Sequence, residues 1–133
     1  MLNKIKFSYR EANDQSHNFT SYHTKFKCKI KYCGLQYAFT YQCNTDYDEP
    51  NLVACLYAIT SDMFCYDNSR NFTDFCDELG YANFEKACDK VGYNFVEAKK
   101  AYKACKKTSK ALHRLFTDDE LDDIMAELTE EGY

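Results

Sequence analysis

The chain reads as an α+β protein, with a three-stranded antiparallel sheet at the N-terminus and about five helices covering its aromatic face. Three observations carry this reading. Lys25-Phe26-Lys27-Cys28-Lys29-Ile30-Lys31-Tyr32 alternates lysine with apolar residues, and Leu35 to Cys43 alternates apolar with polar or small residues. Only Cys33-Gly34 separates the two runs, a length and composition that suit a tight β-hairpin. After Pro50 the apolar spacing changes from two to three and four residues, which marks amphipathic helices. All 133 residues then form one domain, with a β-sheet part over 1–43 and a helical part over 50–131.

The hairpin carries its own register. A two-residue loop sets Tyr32 opposite Leu35, Ile30 opposite Tyr37, Cys28 opposite Phe39 and Phe26 opposite Tyr41. All four pairs share one face because side chains alternate along a strand. A slip of one residue would set lysines against aromatics. Lys4-Ile5-Lys6-Phe7-Ser8-Tyr9 repeats the alternation and predicts a third antiparallel strand. Glu11 to His23 reads as a polar loop, and Asn44 to Glu49 as a second, acidic one.

Pro50 suits the first turn of a helix. Leu52, Leu56, Ile59 and Met63 give that helix its apolar stripe, and turn-like Asp67-Asn68-Ser69-Arg70 ends it near Tyr66. An internal repeat follows: Asn71 to Tyr81 recurs twelve residues later as Asn83 to Tyr93, with Asn, Phe, Cys, Asp, Gly and Tyr in place. Each copy predicts a two-turn helix with Asn as N-cap and Gly as a left-handed C-terminal cap. A long helix is expected over 94–116, with Phe95, Ala98, Tyr102, Cys105, Leu112 and Leu115 on its apolar stripe. Thr117-Asp118-Asp119-Glu120 is a capping box. It opens a last helix with Leu121, Ile124, Met125 and Leu128 inside.

Composition narrows the class. One proline and four glycines argue against disorder, and 12 Tyr with 10 Phe take places that Ile and Val usually share. No apolar run has the length of a membrane span. The start, Met1 to Phe7, lacks the apolar core of a signal peptide, so the expected location is the cytosol. There eight cysteines read as reduced thiols, with Cys28, Cys55, Cys76, Cys88 and Cys105 at core positions. None forms Cys-x-x-Cys. A metal site drawn from His17, His23, Cys28 and Cys33 is the weaker alternative, and neither metal nor cofactor is expected.

No catalytic constellation stands out. There is no Gly-x-Ser-x-Gly, no phosphate-cradling glycine loop and no His-Glu-x-x-His, so a binding protein is expected rather than an enzyme. Charge is the informative feature. From Thr117 to Tyr133 there are eight acids and no base, leaving 13 of the 21 acids to face all 17 bases in the rest of the chain. Lys25, Lys27, Lys29 and Lys31 form a row on the polar face of the hairpin, about 7 Å apart, each adjacent pair repelling by roughly 0.6 kcal/mol in water. The opposing Gln36, Ala38, Thr40 and Gln42 bring no acid. Such a row either docks on phosphates or an acidic protein surface, or keeps the sheet from pairing edge to edge. The acidic helix, through Asp119, Asp122, Asp123 and Glu127, either imitates a nucleic acid or neutralises the seven basic residues of the long helix. Internal neutralisation is the favoured reading, and the lysine row the favoured docking surface.

The lysine-rich hairpin, the Asn-Phe-x-x-Phe-Cys-x-Glu-x-Gly-Tyr unit, the Lys/Ala/Tyr/Cys helix and the ending Leu115-Phe116-Thr117-x-x-Glu120-Leu121 together resemble small proteins of phages and integrative elements of gut bacteria. The resemblance covers roughly residues 25–130. It implies a mobile-element accessory protein acting in the cytoplasm of a bacterial host, a class that includes inhibitors of host defence nucleases such as CRISPR effectors and restriction enzymes. The expected partner is then a nuclease or a nuclease–nucleic acid complex. Direct nucleic-acid binding is the alternative, through the lysine face and through Lys99, Lys103, Lys106, Lys107, Lys110 and Arg114 of the long helix.

Overall fold

A computed structural model describes residues 1–12, 24–43, 49–68, 92 and 95–133. It is α+β. Strands β1 (Lys6–Glu11), β2 (Thr24–Tyr32) and β3 (Leu35–Cys43) form one antiparallel sheet in the order β1-β2-β3. Helices α1 (Leu52–Asp67), α2 (Phe95–Leu115) and α3 (Asp118–Glu130) follow. The described residues thus hold three helices, not about five. The two short helices expected over Asn71 to Tyr81 and Asn83 to Tyr93 lie outside them, except that Gly92 has the left-handed φ of +78° expected of it.

The hairpin register is the expected one, pair for pair, from Tyr32 opposite Leu35 to Phe26 opposite Tyr41. Both loop residues have positive φ, 49° at Cys33 and 80° at Gly34. A type I′ turn needs this because its twist matches that of the strands. The third strand exists but lies further along than expected, with Phe7 opposite Ile30 and Tyr9 opposite Cys28. Leu2–Lys4 instead forms a single 3-10 turn, closed by the Lys4 N–H on the Met1 carbonyl and the Ile5 N–H on that of Leu2.

Packing divides into two compact units. One comprises Met1–Ala58 with His113–Tyr133, the other Ile59–Leu112. The last helix therefore belongs with the sheet. In the first unit the apolar sheet face contributes Cys28, Ile30 and Cys43 to the core, joined by Ile5, Cys55 and Leu56, by Leu115 and Phe116, and by Leu121, Ile124 and Leu128 of α3. Coverage of this face is incomplete. Phe26, Tyr32, Tyr37, Phe39 and Tyr41 are half-buried and Leu35 is exposed, so of the eight residues in the four apolar hairpin pairs only Cys28 and Ile30 are buried. The rings shield one another instead: Tyr9 meets Phe26 edge-on at 5.7 Å, and Tyr37 stacks on Phe39 at 5.5 Å.

Asn51, not Pro50, starts α1. Its side-chain oxygen accepts the Ala54 N–H at 2.9 Å and its carbonyl accepts the Cys55 N–H, the pattern of an N-cap. In the second unit Ile59, Thr60 and Met63 of α1 and Thr108, Ser109 and Leu112 of α2 are buried. The hydroxyl of Ser109 donates to Asp67 Oδ1 at 2.6 Å, which satisfies a polar group that the apolar-stripe reading of α2 overlooked. Cys105 is half-buried. The side chains of Phe95, Ala98 and Tyr102 lie outside the described residues. At the start of α3 the capping box is complete: Thr117 Oγ1 accepts the Glu120 N–H, and Glu120 Oε1 accepts the Thr117 N–H at 2.9 Å.

Candidate functional site

Strand alternation sends Phe7, Tyr9, Phe26, Cys28, Ile30 and Tyr32 to one side of the sheet and every basic strand residue to the other. The register then assembles those basic residues in two dimensions. Lys6 lies opposite Lys31, Ser8 opposite Lys29 and Arg10 opposite Lys27, while β3 adds Gln36, Ala38, Thr40 and Gln42. Lys25, Lys27, Lys29 and Lys31 are thus joined by Lys6 and Arg10, with no carboxylate at any strand position on this face. Lys29, on the central strand, is half-buried and the other residues of the face are exposed. Like charges on directly paired residues destabilise a sheet. At about 5 Å two unit charges repel by roughly 0.8 kcal/mol in water, so this arrangement is held against its own electrostatics.

Arg10 lies one residue beyond the strand expected over Lys4 to Tyr9. The signal was available, since Lys6-x-Ser8-x-Arg10 continues the alternation by one more step. Arg114, expected on a basic helix face, belongs to the same unit as the sheet. Its Nη2 donates to the Gln36 carbonyl at 3.0 Å. Gln36 and Lys31 are one step from the turn, a pair whose own backbone groups point away from each other. The guanidinium therefore closes an outward-facing carbonyl on the open edge of β3. Lys103, Lys106, Lys107 and Lys110 stand exposed along one side of α2, in the second unit. The side chain of Lys99 lies outside the described residues.

The four acids singled out on α3 do not behave alike. Asp119, Asp122 and Asp123 are exposed. Glu127 is half-buried and works within the unit: its Oε1 accepts from the Met1 ammonium at 2.9 Å and its Oε2 from the Leu2 N–H at 3.0 Å. Asp118 lies 3.7 Å from His113 Nδ1. Glu120 accepts a hydrogen bond from the Tyr32 hydroxyl as well as from Thr117. Three acids of the tail therefore meet groups of the first unit.

These contacts move the titrations. The Met1 ammonium and the Leu2 N–H hold the Glu127 carboxyl below its usual range. The backbone N–H of Thr117, and next the Tyr32 hydroxyl, do the same for Glu120. A carboxyl whose folded value is lowered adds stability that is present above its unfolded value and lost as pH falls through the folded one. Stability is therefore expected to decline once pH drops below about 4.5, and less steeply in an E120Q/E127Q variant. Denaturant melts across that range compare the two slopes, and equal slopes would remove both carboxylates from the account. Tyr32 titrates high for the complementary reason, since the neighbouring Glu120 disfavours its phenolate.

Cys28 and Cys55 are both buried in the core, and burial pushes both thiols up, away from the thiolate form a nucleophile needs. Among the described residues no three His, Cys, Asp or Glu side chains are grouped to hold a metal ion, and no helix is long and apolar enough to cross a membrane. His17 and His23 lie outside the described residues. Comparison with protein families, curated proteins and solved structures finds no match to this chain.

Proposed function

We propose that this is a binding protein that docks through its basic sheet face onto a charged surface of a nucleic-acid-handling machine and thereby inhibits it. The observation that carries the reading is the face itself: six basic side chains on β1 and β2, five of them exposed and Lys29 half-buried, with no carboxylate at the strand positions of that face. Concentrating like charge costs stability, whereas a polyanionic partner converts it into attraction and fast association. The acidic helix is the weaker candidate, because Glu127, Glu120 and Asp118 already have partners in the first unit. The resemblance to mobile-element accessory proteins supports a host defence nuclease, a CRISPR effector or a restriction enzyme, as the machine.

Phage plating tests this. Expression of the chain in cells carrying such a defence system should restore plaques, and the K27Q/K29Q/K31Q variant should restore far fewer. The variant should fold as well as the parent, since it removes like-charge repulsion. Failure to protect phage against any CRISPR or restriction system, or equal protection by the variant, would overturn the reading.

A further inference from the structure

The shape of the basic face narrows what it can hold. Three strands set their outer backbones about 10 Å apart before side chains are added. The major groove of duplex DNA is about 12 Å wide and admits a helix or a two-stranded ribbon. The sheet is nearly as wide as the groove, so its outer strands lie near the phosphate-lined rims. Its lysines form a row about 20 Å long from Lys25 to Lys31, with Lys6 and Arg10 beside it on β1. Of the remaining residues of the face, Ser8, Gln36, Thr40 and Gln42 carry groups that donate hydrogen bonds to phosphate oxygens, and Ala38 does not.

What the face lacks is equally informative. Surfaces that bind single strands combine cations with aromatic side chains on which bases stack. Here every aromatic residue of the three strands lies on the opposite side of the sheet, by the same alternation that assembled the cations. Among the described residues, the face has charge and hydrogen-bond donors and its strands supply no stacking platform.

We infer that the basic sheet face binds the phosphate backbone of double-stranded nucleic acid, without reading sequence, through Lys6, Arg10, Lys27, Lys29 and Lys31. This rests on the reading of that face as the docking surface and names what it docks on: the duplex that the target machine holds or approaches. Phosphodiester geometry is common to DNA and RNA duplexes, so the recognised chemistry is the paired phosphate backbone.

Fluorescence anisotropy with the full chain tests this, using labelled DNA and RNA duplexes of two unrelated sequences and their separated strands. Duplexes should bind more tightly than strands of the same length, and the two sequences should bind alike. Five phosphate contacts at about 0.9 log units each predict a roughly 500-fold loss of affinity between 50 mM and 200 mM salt. K27Q/K29Q/K31Q should lower the salt slope by about 3, while K106Q/K107Q/K110Q on α2 should leave it unchanged. Comparison of the DNA and RNA duplexes assigns the source. Tighter binding of single strands, a tenfold difference between sequences, or an unchanged slope in the sheet variant would overturn the inference. If no nucleic acid binds while the sheet variant still loses phage protection, the face docks on an acidic protein surface. That result ends this inference and leaves the proposed function standing.

Discussion

Replacing Phe116 with alanine is expected to cost about 3–5 kcal/mol, the range for emptying a buried aromatic site. Phe116 is only 2% exposed and sits at the junction where α2 ends and Thr117 caps α3. Its ring centroid lies 5.0 Å from that of Tyr32, on the apolar side of the sheet. Removing the ring deletes that contact and leaves a void bordered by a backbone that the capping box holds in place, so collapse into the space is restricted. Typical domains are stable by about 5–15 kcal/mol, and the loss is a large part of that. Urea melts measure it. With a slope of about 1–3 kcal/mol per molar, the midpoint should fall by 1 M or more. A loss under about 1 kcal/mol would mean that the site refills and that Phe116 does not join the C-terminal helix to the sheet.

The second large effect is a contrast between adjacent residues of β2. Ile30 is fully buried between Phe7 and Tyr37 of the flanking strands, while the next residue, Lys31, is exposed opposite Lys6. I30A should cost about 2–5 kcal/mol. K31Q should stay within about 0.5 kcal/mol of the parent or stabilise it, because it relieves a like-charge pair. Two such different outcomes one position apart follow from the pleat alone. Thermal melts of both single variants check the contrast. Similar losses in the two would mean that the faces are assigned wrongly.

The same pleat explains which parts of the fold were legible in the sequence. A period of two joined to a two-residue loop leaves one register, so all four apolar hairpin pairs were readable from residue order. The capping box was readable because its partners are three residues apart. Legibility failed where partners are distant or belong to the backbone. Nothing local to Glu127 indicates that it meets Met1 and Leu2, more than 120 residues away. Nothing in the composition of β3 shows that the Gln36 carbonyl will accept from Arg114. The half-burial of Phe26, Tyr37, Phe39 and Tyr41 is a tertiary outcome that strand alternation does not encode. At the candidate site the hairpin lysines were legible as a row. The contribution of β1, which makes the row a surface, required the second register.

The bond from Arg114 to Gln36 also bears on the order in which the chain is made. Hairpin residues emerge from the ribosome early, with the outer edge of β3 open and the Gln36 carbonyl on it not yet met by Arg114. The guanidinium that covers it lies 78 residues later. At about 5–20 residues per second, that interval lasts roughly 4–16 s, during which the nascent hairpin presents an open strand to any neighbour able to pair with it. Over those seconds the lysine row would serve a purpose separate from its partner, since two emerging hairpins of equal charge repel before their edges can meet.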